Sequence, residues 1–308
     1  MSLSSGVERR PEAPGPGPVP EALLRSLELS VRRRAQGLMP GEVRSHQLGS
    51  GTELALVRPY RPGDDVRRID WNVTARTGEP HVRVDVAERT LTTWLVLDRS
   101  PSMAFGTADR RKADVAEGVA LALGHLSTRR GNRLGIVTFG GDADAVMAPR
   151  SGPRGMLAAL RESRRGPAAG PVGTTSLREA VLRVGRVARG RSLVVLVADF
   201  RGESGWDRAL ADLGGRHDVL AIEIRDRHED ELPDIGSVWL SDPETGEELQ
   251  VDTGDARVRS AFADAAAEDR RLLARRLARC GADHVVLTTA GDWLRPLADA
   301  VKVRGRAR

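Results

Sequence analysis

Two unbroken apolar runs, Trp94–Leu97 and Leu193–Val197, most constrain the fold of this 308-residue chain. Each run has the length of a strand and contains no polar residue. Strands that are apolar throughout are typical of parallel sheets covered by helices on both faces. From residue 93 onward, strand patterns alternate with segments of helical periodicity. The sequence therefore predicts an α/β fold with a doubly wound, mostly parallel sheet.

The elements of this region follow from their hydrophobic periodicity. We predict strands at 94–98, 133–139, 144–148, 193–197, 218–224 and 283–288, and helices at 109–128, 153–163, 176–189, 205–213, 257–279 and 292–302. Residues 236–252 are typical of a hairpin that turns at Asp242–Gly246. The residues of the 257–279 helix expected to face inward are Val258, Phe262, Ala265, Leu272 and Leu277.

The residues ahead of this region have a different character. Residues 1–20 are rich in Pro, Gly and Ser, which predicts a disordered tail. Residues 21–35 have the pattern of a short helix, and the irregular stretch 36–90 contains one alternating run, 82–86, that predicts a strand. We therefore divide the chain into a tail at 1–20, an N-terminal segment at 21–90 packed on the main domain, and the α/β domain at 91–303.

Asp98, Ser100 and Ser102 lie at the carboxyl end of the first buried strand, where open α/β sheets bind their ligands. Thr175 precedes a predicted helix and Asp199 follows the other apolar strand, so both are expected at the same rim. Oxygen-only ligands suit Mg²⁺, Ca²⁺ or Mn²⁺. The sequence predicts a divalent-ion site here; the alternative for the first turn alone is helix N-capping without a metal.

These residues resemble the metal-ion-dependent adhesion site of von Willebrand factor A domains. Asp98, Ser100 and Ser102 match its D-x-S-x-S turn, and Asp199 matches its distal aspartate. Thr175 matches its threonine, although Thr174 stands where the family has a second glycine, so either threonine is a candidate. The resemblance implies that Asp98, Ser100, Ser102 and Thr175 contact the ion directly or through water, and that Asp199 does so through water.

A second motif, Arg58–Trp71 continuing to Arg76, is similar to the signature of the family called domain of unknown function 58. In that family the motif precedes an A-type domain. Members are commonly encoded beside MoxR-type AAA+ ATPases, so the resemblance implies a partner of this kind. We expect Trp71 to be a core residue. We also expect a buried ion-pair network that comprises Asp64, Arg67, Asp70 and Arg76.

Other signals favour a non-enzymatic, cytoplasmic protein. The chain has a single cysteine, no apolar leader segment near its N-terminus and no apolar run long enough to span a bilayer. Neither a P-loop nor a dinucleotide-binding glycine motif follows the first strand. The acidic run 228–231 is expected to be a solvated loop. The net charge of +5 keeps a nucleic-acid-associated role open, and the predicted ion keeps a metal-dependent hydrolase open.

Overall fold

A computed structural model of the chain describes residues 2–3, 15–25, 54–85, 92–127, 132–141, 144–165, 176–202 and 204–303. The chain divides into a smaller compact unit, residues 40–90, and a larger unit formed by residues 1–39 and 91–308. None of the described helices combines the length and apolar character needed to cross a bilayer.

Strands and helices alternate along the described residues. The strands are β1 Ser2–Leu3, β2 Leu54–Pro59, β3 His81–Asp85, β4 Thr92–Asp98, β5 Arg133–Phe139, β6 Val146–Ser151, β7 Leu193–Ala198, β8 Asp218–Arg225, β9 Ser237–Ser241, β10 Glu248–Asp252 and β11 Asp283–Thr288. Residues 21–25 are helical. The α-helices after them are α1 Trp71–Thr77, α2 Lys112–Ser127, α3 Gly152–Ser163, α4 Leu177–Val187, α5 Asp207–Gly214, α6 Ala256–Arg279 and α7 Leu294–Val303.

The main sheet of the larger unit has the strand order β11-β8-β7-β4-β5-β6. All its neighbouring strands are parallel except β6, which pairs antiparallel with β5. Two separate clusters of buried apolar side chains pack against the sheet, and successive residues of β4 contribute alternately to the two. Because alternate side chains of a strand point to opposite faces, the sheet is covered on both sides. The predicted doubly wound α/β fold is confirmed.

Residues near the N-terminus contribute to one of these clusters. Leu24 is buried and belongs to the cluster that also contains residues of α2 and α7, and the Trp293 indole donates a hydrogen bond to the Pro16 carbonyl at 2.8 Å. Residues 15–25 therefore pack within the larger unit. The rest of the helix predicted over 21–35 lies outside the described residues.

The smaller unit is more regular than its sequence indicates. Strands β2 and β3 pair antiparallel, and the prediction of a single strand missed β2 and α1. Helix α1 is capped at its N-terminus by Asp70, whose carboxylate accepts hydrogen bonds from the amides of Asn72 and Val73. It ends at Gly78, whose φ of 76° is a left-handed conformation suited to glycine.

The ion-pair network predicted for this unit is wrong in its partners. Asp64 pairs with Arg58 at 2.7 Å, and Asp70 pairs with Arg83 at 2.9 Å. The other predicted members, Arg67 and Arg76, are exposed. Trp71 is also exposed, with 69% of its surface accessible, because it is the first residue of a two-turn helix whose cap is the buried Asp70. Its prediction as a core residue is wrong.

Helix α6 also turns a different face inward than predicted. Ala265 and Leu272 are exposed, although a spacing of seven residues from Val258 places them on one predicted face. Each residue turns the helix by about 100°, so a seven-residue repeat drifts around a straight helix by about 20° per step. The residues of α6 that pack inward are Val258, Phe262, Leu273 and Leu277.

Candidate functional site

The apolar strands β4 and β7 bring two aspartates to the same edge of the sheet. The strands pair in parallel, with Leu97 opposite Val197, and Asp98 and Asp199 stand at their carboxyl ends. Both aspartates are buried, with 7% and 4% of their surfaces accessible. This is the edge at which doubly wound sheets bind ligands.

The turn after β4, residues 98–102, concentrates oxygen atoms. It carries three of the predicted ion ligands, and we name it the metal turn. The Ser100 amide donates to Asp98 Oδ1 at 2.8 Å, and the Ser100 and Ser102 hydroxyls lie 3.0 Å apart. Ser100 is the N-cap of a short 3₁₀ helix, Pro101–Ala104, yet its side chain makes no capping hydrogen bond. Its hydroxyl is therefore not committed to N-capping, the alternative role for this turn.

The predicted threonine, Thr175, and its neighbour Thr174 lie outside the described residues. The described helix that follows them, α4, begins at Ser176, whose hydroxyl accepts a hydrogen bond from the Glu179 amide at 3.3 Å. The structure thus brings Asp98, Ser100, Ser102 and Asp199 together, and the assignment of the threonine stays a prediction.

Asp199 is held by a buried ion triad. The Lys112 ammonium, fully inaccessible to solvent, donates to Asp199 Oδ2 at 2.6 Å and to Glu229 Oε1 at 2.8 Å. Phe200 adopts a φ of 57°, which non-glycine residues rarely do, and the Arg201 amide donates to Asp199 Oδ1 at 3.0 Å. The prediction of a solvated loop over 228–231 is wrong for Glu229, which is buried against this lysine.

The two aspartates are held in opposite electrostatic situations. Burial, reinforced by the neighbouring charge of Asp199, raises the pKa of Asp98 to about 7. Burial acts on Asp199 in the same direction, but the Lys112 ammonium outweighs it and lowers the pKa of Asp199 to about 2. Lys112 also acts on Asp98, but among the described residues its hydrogen bonds go to Asp199 and Glu229, so burial prevails at Asp98.

This donor set fits a hard divalent ion. Asp98 and Asp199 supply carboxylate oxygens, and Ser100 and Ser102 supply hydroxyls, without sulfur or imidazole. Such ligands hold Mg²⁺, Ca²⁺ or Mn²⁺. A cation beside Asp98 would also offset the cost of burying its negative charge.

Four site residues were missed from the sequence. Lys112 had one available signal, since lysine occurs only twice among the 48 basic residues. Glu229 and Glu244 had none that distinguished them from surface acids. Gly140 approaches the metal turn so closely that a Cβ would lie 3.0 Å from the Ser100 nitrogen and 3.2 Å from Asp98 Oδ1.

Gly140→Ala is expected to destabilise the protein and to weaken ion binding at the metal turn. The residue has a φ of 73°, and the added methyl group would press on Ser100. Gly152→Ala is a matched control, because Gly152 also has a positive φ, 63°, but nothing within 4 Å of an added Cβ. We expect Gly152→Ala to lose about 1 kcal/mol, Gly140→Ala to lose more because of its close contacts, and only Gly140→Ala to change Mn²⁺ affinity in calorimetry. Equal Mn²⁺ affinities would contradict this role for Gly140.

Comparison with known proteins places the chain in a sequence family. The model of the family described as "Protein of unknown function DUF58" matches residues 56–272. An uncharacterized protein of Mycobacterium tuberculosis, Rv1480, is 41% identical over 288 residues, which cover 92% of this chain and 90% of the relative. An uncharacterized protein of Mycobacterium avium, MAV169, is 41% identical over 158 residues, which cover 51% of this chain and 92% of that relative.

Solved structures are similar to this chain at low sequence identity. The conserved hypothetical protein BatB from Bacteroides thetaiotaomicron is 11% identical, with a TM-score of 0.45, and the alignment covers 71% of this chain and all of BatB. An aerotolerance-related membrane protein from Bacteroides fragilis is 13% identical, with a TM-score of 0.45, over 71% of this chain and all of that chain. The SpRpn10 VWA domain is 13% identical, with a TM-score of 0.37, over 68% of this chain and 95% of that domain.

Proposed function

This chain belongs to the DUF58 family of proteins of unknown function, and we propose that it is a non-enzymatic, metal-dependent protein-interaction module. The observation that carries the proposal is the convergence of two buried carboxyl groups and two hydroxyls at the carboxyl edge of the sheet. Asp98, Ser100, Ser102 and Asp199 would hold a divalent ion, with Thr175 as the expected fifth residue. When bound, the ion would offer a partner's carboxylate a positively charged ligand position.

The chemistry of the described residues supports binding over catalysis. Lys112 is fully buried and donates to two carboxylates, so it is not available as a proton acceptor. The hydroxyls of Ser100 and Ser102 hydrogen-bond each other, a suitable arrangement for two ion ligands from one turn. An incomplete set of protein ligands is what an ion needs to accept one more oxygen from a partner.

We propose that the partner presents an aspartate or glutamate at the metal turn, and that it is a MoxR-type AAA+ ATPase. The carboxylate requirement rests on the oxygen preference of a hard divalent ion. The class of partner rests on the family resemblance carried by the Arg58–Arg76 motif. The module would then act as an adaptor, or in the assembly of other complexes.

Partner binding is expected to require both the ion and Asp98. The full chain, immobilised, should retain a MoxR-type ATPase from the native host in Mg²⁺ and lose it in EDTA. Asp98→Ala should lower retention by at least about tenfold, since loss of a residue that only hydrogen-bonds a metal ligand already lowers metal affinity about tenfold or more. Asp212→Ala, which removes an exposed carboxylate from α5, is the control and should bind as the wild type does. Quantitative mass spectrometry of the retained protein is the measurement.

Other outcomes would point to other functions. Undiminished retention in EDTA and in Asp98→Ala would overturn the metal-dependent interaction. Mg²⁺-dependent hydrolysis of a phosphate ester, lost in Asp98→Ala, would instead identify an enzyme. Binding to nucleic acid that falls steeply with salt and ignores EDTA would identify a nucleic-acid-associated protein.

A further inference from the structure

The hairpin β9–β10 places a carboxylate of the chain itself against the metal turn. Glu244, in the hairpin turn, accepts a hydrogen bond from the Ser102 amide through Oε1 at 2.9 Å, across 142 positions of sequence. Ser102 is also one of the two residues whose hydroxyls would face the ion. The Glu244 carboxylate therefore contacts the same turn that would hold the ion.

The hairpin turn holds this side chain in place. The Glu244 amide donates to Asp242 Oδ1 at 2.9 Å, and the Gly246 amide donates to the Asp242 carbonyl at 2.7 Å. These bonds form a compact turn with Glu244 near its apex. The side chain is half-buried, whereas Glu247 in the same turn is exposed. The contact with Ser102 is thus specific to one of the two glutamates.

The hairpin is packed separately from the main core. Its buried residues Val238 and Leu240 join Leu232 in a small cluster with Val258 and Phe262 of α6. A small cavity of about 30 Å³ lies between part of this cluster, Phe105, which follows the short 3₁₀ helix, and Arg201. Between the hairpin and the metal turn, the contact described at Glu244 is polar. Such a polar contact can be exchanged for another without uncovering the main core.

We propose that Glu244 is a further member of the ion site, and that it occupies the position of the partner's carboxylate in the unbound protein. This inference rests on the proposed function, because it assigns Glu244 to the same ion. Partner binding then requires the hairpin tip to leave the metal turn. Free and partner-bound states differ in which carboxylate completes the site. The intramolecular carboxylate lowers the apparent affinity for the partner, which equals the intrinsic affinity multiplied by the fraction of molecules in which the tip is displaced.

A simpler role for Glu244 is to cap the short 3₁₀ helix, since Ser100 does not cap it. The two roles make different demands on the side chain. A cap needs only an oxygen acceptor, which glutamine retains, whereas competition for the ion needs the negative charge. Glu244→Gln therefore separates them, and Glu247→Gln makes the same charge change in the same turn away from the metal turn.

The experiment uses the full chain, Mn²⁺ and a blocked Gly-Glu-Gly peptide as the carboxylate probe. Calorimetry with Mn²⁺ alone should show affinity several-fold weaker in Glu244→Gln than in wild type, because one carboxylate near the ion is lost. Mn²⁺-induced broadening of the peptide's proton resonances should show the opposite order, with the peptide bound about tenfold more tightly by Glu244→Gln. Glu247→Gln should match the wild type in both measurements.

Hydrogen exchange gives a readout that needs no variant. In the wild type, Mn²⁺ with the peptide should accelerate exchange of the amides at 242–247 relative to Mn²⁺ alone, because the tip is displaced. Mn²⁺ binding that is lost in Asp98→Ala, but with equal peptide affinity in wild type and Glu244→Gln, would overturn the role of Glu244 and leave the proposed function standing. Absence of Mn²⁺ binding to the wild type would overturn both.

Discussion

Replacement of Lys112 by methionine is expected to lower the free energy of unfolding by about 3–5 kcal/mol, because removal of one partner from a buried ion pair leaves uncompensated charge. The ammonium serves two carboxylates, of Asp199 and Glu229, that are themselves buried. Glu229 also accepts a hydrogen bond from the Asp226 amide, so the loss extends to the capping box at 226–229. Denaturation with urea at neutral pH measures the effect.

Two further variants test whether uncompensated buried charge causes this loss of stability. Arg295→Met breaks the exposed pair between Arg295 and Asp292 and should cost less than about 1 kcal/mol. Asp199→Asn introduced into Lys112→Met should restore part of the lost stability, since it removes one of the stranded charges. A loss of less than about 1 kcal/mol in Lys112→Met would show that water or a rearranged side chain compensates these carboxylates.

The main sheet could be predicted because its strands are recognisable from local sequence. Runs such as Leu193–Val197 are apolar throughout, and only a strand covered on both faces accommodates them in so short a length. Features that depend on tertiary contacts were harder to predict from the sequence. The inward face of α6 depends on where the helix meets the hairpin cluster and the main core, so periodicity alone selected Leu272 in place of Leu273.

The residues of the candidate site also differ in how far local sequence predicts them. Asp98, Ser100, Ser102 and Asp199 could be predicted because each lies within a few residues of the end of a buried strand, and parallel strands end at a common edge. Lys112 reaches Asp199 from 87 positions away and Glu229 from 117, and Glu244 reaches Ser102 from 142. Apart from the rarity of lysine, nothing in the sequence distinguishes these side chains from surface charges, since their roles arise from packing between distant elements.

Asp98→Asn is expected to stabilise the ion-free protein at alkaline pH and to abolish its stabilisation by Mg²⁺. The pKa of Asp98 is raised from 3.8 to about 7 by burial and by the nearby charge of Asp199. Each pKa unit corresponds to about 1.4 kcal/mol, so ionisation of Asp98 costs the folded state about 4 kcal/mol at full effect. Asparagine is not ionised and avoids this cost.

The pH dependence has a definite sign. The folded protein binds the Asp98 proton more tightly than the unfolded chain does, so the penalty is absent below about pH 4, grows as the pH rises and is complete above about pH 7. In EDTA, Asp98→Asn should therefore match the stability of the wild type at about pH 4 and exceed it by up to about 4 kcal/mol at about pH 8. Asp212→Asn, at an exposed position, should show no such trend.

Mg²⁺ is expected to remove most of the stability difference between the two proteins at alkaline pH. A ligand present at about one hundred times its dissociation constant stabilises the folded state by about 2.7 kcal/mol, and only the wild type retains the carboxylate that makes the site. Thermal denaturation of both proteins, in EDTA and in saturating Mg²⁺, measures how far the ion reduces the difference. A stability difference that changes neither with pH nor with Mg²⁺ would mean that Asp98 is neither electrostatically strained nor an ion ligand. A difference that changes with pH but not with Mg²⁺ would support the raised pKa of Asp98 and contradict its role as an ion ligand. Burial near Asp199 raises this pKa whether or not a metal binds.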